Sequence, residues 1–226
     1  KGEFTSYLIS GQIDDEFEDA FNLDLNALFF EGDAGAIAQG VTGRINKLDL
    51  PFTFGRIPIF TQNGIWTNDA IDGAAVSITA KHNAKLDVSN YDFTFFVGLD
   101  NVTTAALPTG QDAKVFGVAN FADFLRGYFE AGYAYLDADS SDLSYHNVTA
   151  SFTRRYRGKV SNSVRVIGNF GQDAAVKTAD GWLLLVENSL ITRKPATLIP
   201  YVNLFAGFDR PQPLMRAAGT GGVLLN

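Results

Sequence analysis

The chain has 226 residues and carries 18 Lys and Arg against 25 Asp and Glu, which gives a formal net charge of −7. It contains no cysteine and only two histidines, which excludes disulfide scaffolds, thiol catalysis and cysteine zinc sites. The acidic balance gives no global basic field for binding nucleic acid, and no apolar run approaches the roughly 18 to 20 residues that a membrane helix needs.

Alternation of apolar and polar side chains recurs along the whole chain and predicts β-strands. About twelve segments show it, and many are close to the roughly 9 to 11 residues that a tilted membrane strand requires. Residues 209–226 hold prolines and glycines and are predicted to form a loop, and no boundary divides the single domain 1–226. The predicted strands, in chain order, are 4–13, 21–29, 37–47, 50–59, 74–81, 91–99, 114–121, 129–135, 147–153, 163–170, 182–190 and 198–208.

The two faces of these strands differ in a way that favours a membrane barrel over a soluble sandwich. The polar face is rich in Ser, Thr, Asn and Gly, and aromatic residues gather near strand ends, as in the aromatic girdles of outer-membrane barrels. Alternation alone also fits a soluble sandwich, which remains the alternative. The expected lipid-facing set is Val76, Phe95, Val148, Val164, Val186 and Leu204, and the expected lumenal set is Ser77, Thr94, Thr149, Ser163, Glu187 and Asn203.

One predicted hairpin resembles the outer-membrane porins of Gram-negative bacteria. Its first strand carries Phe54-Gly-Arg-Ile-Pro-Ile59, and its second runs Asn68-Asp-Ala-Ile-Asp-Gly-Ala-Ala-Val-Ser-Ile78. The segments 154–169 and 198–208 also look like ordinary porin strands. The resemblance implies an all-β, antiparallel up-and-down transmembrane barrel in the bacterial outer membrane, with lipid around it and small hydrophilic solutes or ions inside, and it is compatible with a homo-oligomer.

The carboxy-terminal residues depart from this pattern, because such barrels usually close with a strand that ends in an aromatic residue. This chain ends Val223-Leu-Leu-Asn226 after a loop-like stretch. We therefore expect an incomplete piece of a larger barrel, with a self-contained barrel of about twelve strands as the alternative.

The candidate functional residues are the charges on the predicted lumenal face, since lumenal charges select the solutes that pass. Strand parity places Arg155 and Arg157 on that face. The same argument places Arg165, Glu187 and Lys81 there. The three arginines together predict a preference for anions, which an opposing acid would weaken. The complete candidate set is Arg155, Arg157, Arg165, Glu187 and Lys81.

The function predicted on these grounds is passive diffusion of small solutes through an outer-membrane channel. A non-conducting outer-membrane barrel and a soluble β-sandwich binding module are the alternatives. The chain lacks a Gly-x-Ser-x-Gly, Walker or dinucleotide motif and a clustered Ser/His/Asp set. We therefore predict no catalytic residue, no metal ligand, no cofactor and no enzymatic activity.

Overall fold

The computed structural model describes residues 27–217, except 108–110, 125 and 195. The described residues form one helix, three short 3-10 turns and eleven strands. The helix α1 is Ala34–Thr42, and the strands are β1 (Leu28–Asp33), β2 (Pro51–Thr61), β3 (Thr67–Asn83), β4 (Val88–Asp100), β5 (Ala113–Phe124), β6 (Gly127–Ala138), β7 (Tyr145–Tyr156), β8 (Val160–Phe170), β9 (Asp180–Leu190), β10 (Tyr201–Arg210) and β11 (Met215–Arg216).

The strands form a single sheet in which β1 to β10 lie in chain order and each pairs antiparallel with the next. The short strand β11 is the exception, because it pairs parallel with the start of β3. Within the described residues β1 pairs only with β2 and β10 only with β9, so the sheet is open. The predicted antiparallel all-β fold is thus confirmed, whereas closure into a barrel stays a prediction.

The sheet is strongly curved, and side-chain contacts across it measure the curvature. Trp66, next to the start of β3, donates its indole N–H to Asn147 in β7 over 2.6 Å. Thr149 of β7 likewise donates to Gln62 over 2.8 Å. Four strand spacings of about 4.8 Å would separate β3 from β7 by about 19 Å in a flat sheet. The sheet therefore curls around the face that carries these contacts, which we call the concave face; the opposite one is the outer face.

The two ends of the sheet differ. At one end, the turn end, β7 and β8 are joined through Arg157–Lys159 and β3 and β4 through residues 84–87, and the connections 34–50 and 191–200 also lie there. At the other, the loop end, the connections contact one another: Thr178 donates to the carbonyl of Ala106, and the hydroxyls of Thr104 and Tyr145 share a hydrogen bond. The main apolar cluster fills the concave face towards the loop end, with members that include Ile57, Trp66, Ile71, Phe96, Val102, Val115, Leu136, Tyr145, Leu214 and Met215.

One predicted strand is wrong, because residues 37–47 lie partly in helix α1 and contain no strand. Asp33 caps the helix by accepting from the Ala36 N–H at 2.6 Å, and Gly43 ends it in the left-handed conformation at φ 65°. These are ordinary start and stop signals for a helix. The same Asp33 carboxylate also accepts from the Leu50 N–H at 2.7 Å, so it fixes both ends of the connection between β1 and β2.

The remaining predicted strands from residue 50 to residue 208 each correspond to an observed strand, with shifted ends. The predicted strand 4–13 and most of 21–29 lie outside the described residues. The predicted carboxy-terminal loop contains the short strand β11, and residues 218–226 also lie outside the described part of the chain.

Candidate functional site: the concave face

The concave face buries polar side chains, while the outer face exposes large apolar ones. In β7, Ser151 is 2% exposed and its neighbour Phe152 is 41% exposed. The same inversion recurs in β8, where Ser163 is buried and Val164 is exposed. The two residue sets predicted from parity lie on opposite faces, because cross-strand partners join Val164, Val186 and Leu204 on one side and Ser163, Glu187 and Asn203 on the other.

A row of cross-strand partners at one level, which we call the rung, carries charged groups across the concave face. Register pairs Asp92 of β4 with Phe121 of β5, and Phe121 with Glu130 of β6. The row continues from Glu130 to Ser151 of β7 and then to Arg165 of β8. Ser151 donates to a Glu130 carboxylate oxygen over 2.9 Å. Because partners in neighbouring strands share a face, the rung places two acids and one arginine along one wall.

A cavity of about 510 Å³ opens onto the acidic half of the rung. Of the described residues that line it, only Asp92 and Glu130 are charged. Its other walls combine hydroxyl and amide groups, such as Thr53, Gln62 and Asn120, with aromatic rings, such as Trp66, Phe96 and Phe121. This combination of an apolar surface with a few converging polar groups is typical of a small-molecule site.

Arg165 is fully embedded in the concave face, where a single ion pair neutralises it. The side chain is 1% exposed, and its Nη1 lies 3.0 Å from a carboxylate oxygen of Glu187 in β9. The Nε and Nη2 atoms have no hydrogen-bond partner in the described part of the chain. Two of the predicted candidates therefore meet, and Glu187 opposes Arg165 as the sequence argument allowed.

The other two predicted arginines lie away from the rung, towards the turn end. Arg155 shares the concave face with Thr153 and pairs in register with Ser161, close to the end of β7. Arg157 lies beyond the end of β7, in the turn, with a left-handed φ of 49°. Arg155 therefore lies opposite Ser161, within the range expected from the sequence, Arg157 lies in the turn, and of the three arginines only Arg165 lies on the rung.

A β-bulge changes the face on which Lys81 lies. Regular alternation from Ser77 predicts that Lys81 shares the lumenal face. The register instead advances three residues along β3, from Ile78 to Lys81, while β4 advances two, from Phe93 to Tyr91. Tyr91 contacts the half-exposed Phe93 ring on the outer face, with centroids 6.2 Å apart. Lys81 therefore shares the outer face with them, which corrects the face that the sequence predicted.

Two segments fold inward over the concave face near the loop end, and the sequence argument missed both. In the first, Trp66 is fully buried and its ring lies over Gly132 of β6, where an added Cβ would come within 2.3 Å of the indole. The glycine at that position on an otherwise regular strand is the signal that could have indicated a ring packed there.

The second inward segment follows β10 and crosses the sheet to reach β3. The backbone N–H of Gln212 donates to Asn169 of β8 over 2.7 Å, and its carbonyl accepts from Asn147 of β7 over 3.1 Å. The segment ends in β11, and the Leu214 N–H donates to the carbonyl of Trp66 over 3.0 Å. Asn147 therefore holds both inward segments, since it also accepts from the indole of Trp66.

Aromatic rings form clusters on the outer face close to both ends of the strands. Towards the loop end, His146 packs between Tyr133 and Phe170 and shares a hydrogen bond of 2.8 Å with the hydroxyl of Tyr133. Towards the turn end of β1 and β2, Phe30 and Phe52 contact each other with centroids 6.0 Å apart. The outer face therefore carries ring clusters near both ends of the strands.

Metal ligands, helix hydropathy and the comparisons with known proteins add no further assignment. In the described part of the chain, no three His, Cys, Asp or Glu side chains are grouped closely enough to hold a metal ion. Over the same residues, no helix is long and apolar enough to cross a membrane. No protein-family profile matches the chain, and neither a curated protein nor a solved structure matches it.

Proposed function

We propose that the chain forms the wall of an outer-membrane, porin-like channel for passive diffusion of small hydrophilic solutes. The observation that carries the proposal is the inverted polarity of the sheet, with exposed apolar residues outside and buried polar residues inside. A soluble sheet with one solvated face shows the opposite arrangement. A surface with this many exposed apolar side chains suits lipid far better than water.

The lengths of the strands also support a membrane location. The strands β2 and β4 to β10 have 10 to 13 residues each. Tilted strands of about 9 to 11 residues span the hydrocarbon core. Open sheet edges do not persist in lipid, because each unpaired backbone group costs several kcal/mol. Among the described residues the outer edges of β1 and β10 have no pairing partner, so the channel requires partners from further strands or from a second copy of the chain.

A matched pair of substitutions in β10 tests the location of the outer face. Leu204 and Asn203 are neighbours, both exposed, and they lie on opposite faces. Leu204→Lys places a charge towards lipid and should cost about 2–4 kcal/mol if the residue lies near the bilayer midplane. Asn203→Lys should insert like the parent chain. Insertion into liposomes is measured as the fraction that migrates as the folded form on unheated gels, and equal insertion of the two variants would contradict the membrane location.

Conduction needs its own experiment, because a barrel can cross a membrane without forming a channel. The parent chain, reconstituted into planar bilayers, should give discrete conductance steps that persist at constant voltage. The Leu204→Lys variant serves as the control for protein that is present but not inserted. Inserted protein without conductance steps would overturn the channel.

A non-conducting barrel is the second candidate, and the inward segments favour it. Trp66 and the residues around Gln212 cover the concave face near the loop end, and both are held by hydrogen bonds to Asn147. A permanent obstruction at this place would leave a membrane scaffold with a cavity that opens on one side only. The bilayer experiment separates the two candidates.

A further inference from the structure

Among the described residues, no lysine or arginine lines the acidic cavity on the concave face. Asp92 and Glu130 flank Phe121 on the rung, about 10 Å apart at two strand spacings. Arg165, the basic residue on the same rung, is already paired with Glu187. The negative potential in the cavity is therefore uncompensated at close range, which disfavours an anionic occupant.

The arginines that line a pocket at the turn end, Arg126, Arg154 and Arg155, lie too far away to change this balance. Arg126 is four residues along the chain from Glu130, and Arg155 is as far from the rung. Arg155 is four residues along β7 from Ser151, about 13 Å at 3.3 Å per residue. The Debye length at physiological salt is about 8 Å, so its field at the cavity is largely screened. The cavity therefore attracts cations even though Arg155 shares the concave face.

Two buried polar groups of the cavity wall lack hydrogen-bond partners among the residues that the structure describes. Gln62 is 4% exposed and lines the cavity. Its Oε1 accepts from Thr149, whereas its Nε2 has no acceptor. The hydroxyl of Thr53, also in the wall, has no partner either. Unpaired buried donors are costly, and a ligand that supplies oxygen acceptors would satisfy them.

The aromatic rings of the wall suit the same kind of ligand. Trp66, Phe96 and Phe121 line the cavity, and the Trp66 and Phe96 rings meet edge to face with centroids 6.1 Å apart. Aromatic faces attract organic cations and pack against the apolar face of a ring-shaped polyol. A volume of about 510 Å³ lies within the usual range for small-molecule sites.

We propose that this cavity binds a small organic cation that carries hydroxyl groups, as an amino sugar or an amino alcohol does. Its ammonium group lies between the carboxylates of Asp92 and Glu130, and its oxygens accept from Gln62 and Thr53. The assignment names the solute class of the proposed channel, and its transport role rests on that proposed function. It also reverses the anion preference expected from the arginines.

Glucosamine and glucose form a matched pair of probes, because they differ chiefly in one charged amino group. The chain has two tryptophans, and Trp182 lies half-exposed on the outer face, so the Trp182→Phe variant reports on Trp66 alone. In detergent micelles at pH 6, glucosamine should change the Trp66 emission saturably, with a Kd at least tenfold below that of glucose. Equal affinities for the two sugars, or no saturable change with either, would overturn the proposal.

Charge-neutralising variants identify the groups responsible. Glu130→Gln and Asp92→Asn should each raise the Kd for glucosamine about tenfold and leave the weak binding of glucose unchanged. Asp180→Asn, which removes an acid outside the cavity, should bind glucosamine like the parent. The test uses two separate acids. If one of the two variants does not fold, the other still shows whether the carboxylates bind the cation. Unchanged glucosamine affinity in a folded variant of either acid would refute the site.

The binding experiment tests the cation site and the conductance experiment tests the channel, so either proposal can fail without the other. A chain that conducts in bilayers but shows no charge-dependent binding of glucosamine keeps the channel and loses the cation site. A chain that binds glucosamine tightly but gives no conductance keeps the site and loses the channel, and the cavity is then a binding pocket of a membrane scaffold.

Discussion

The pair formed by Arg165 and Glu187 should be the most costly polar contact on the concave face to break from one side. Glu187→Gln leaves an arginine that is 1% exposed without a counter-ion, with Nε and Nη2 already unpartnered. Breaking a buried pair in this way costs about 3–5 kcal/mol. Because the Glu187 side chain is 30% exposed and water reaches it, we expect about 3 kcal/mol. For a chain of this size that lowers Tm by about 6–12 °C.

A double-mutant cycle separates the uncompensated charge from lost packing. Arg165→Met keeps an unbranched apolar side chain in the site and leaves Glu187 partly hydrated, so it should cost only about 1 kcal/mol. The double variant should be as stable as Arg165→Met alone, since Glu187→Gln is harmful only while the arginine is present. Urea unfolding in detergent micelles measures all four proteins.

The ion pair between Lys177 and Asp180 is the matched control for this cycle. Its atoms lie 3.1 Å apart, as close as those of the buried pair, but its side chains are 45% and 35% exposed. Asp180→Asn should therefore cost less than about 1 kcal/mol. The contrary outcome is that the changes in the free energy of unfolding caused by Glu187→Gln and Arg165→Met simply add within about 0.5 kcal/mol in the double variant. In that case Glu187 does not stabilise the buried arginine, and the argument from burial is wrong.

Two more predictions concern the turn end and the loop end. Arg155→Ala combined with Arg157→Ala should leave the anion-to-cation permeability ratio at about 0.1 M salt unchanged, because Arg157 is a turn residue and Arg155 is screened from the rung. The ratio is measured as the reversal potential in a salt gradient, and a shift of that potential would contradict this. Gly132→Val should displace the Trp66 ring, since even a Cβ would lie 2.3 Å from it; in a Trp182→Phe background the emission should move to longer wavelength, and unchanged emission would show that the ring does not pack there.

The face of most side chains could be predicted from the sequence, because parity along a strand is a local property. Phe152 and Ser151 lie on the faces that alternation assigns to them, and so do Val164 and Ser163. Whenever one face is buried, a slip of one residue would reverse every side chain, so the pattern specifies the register. The antiparallel order of the sheet follows as well, since consecutive strands joined by short connections pair with each other.

Parity fails where the backbone departs from a regular strand. The bulge between Ile78 and Lys81 reverses the face of Lys81, and alternation alone contains no signal for it. The left-handed turn at Arg157 removes that residue from the strand altogether. Helix α1 was not predicted, because its apolar residues were interpreted as one face of a strand. Asp33 and Gly43, which begin and end the helix, are the signals that indicate it.

The site itself could not be predicted in full from the sequence, because it is formed by contacts between residues far apart in the chain. The rung joins Asp92 to Glu130 only through the register of three strands, and the neutralisation of Arg165 depends on the pairing of β8 with β9. Strand parity predicts both members of the ion pair on one face, and the opposite charge of Glu187 predicts that it weakens the field of Arg165. Parity does not predict the cavity, because the curvature that creates it is a property of the whole sheet.

Asn147 decides whether the inward segments obstruct the concave face, since its side chain is the shared anchor of both. It is fully buried, accepts from the indole of Trp66 at 2.6 Å and donates to the Gln212 carbonyl at 3.1 Å.

Asn147→Leu keeps a similar volume and removes both bonds, at a cost of about 1–3 kcal/mol for each group left unpaired. Release of the two segments should raise single-channel conductance and add rapid flicker. Thr153→Val, which removes the hydrogen bond to Ser163 on the same face without touching either segment, should leave conductance unchanged. If Asn147→Leu folds and conducts like the parent, the two segments lie outside the conducting path, and the obstruction argued for the loop end does not limit the flow of solutes.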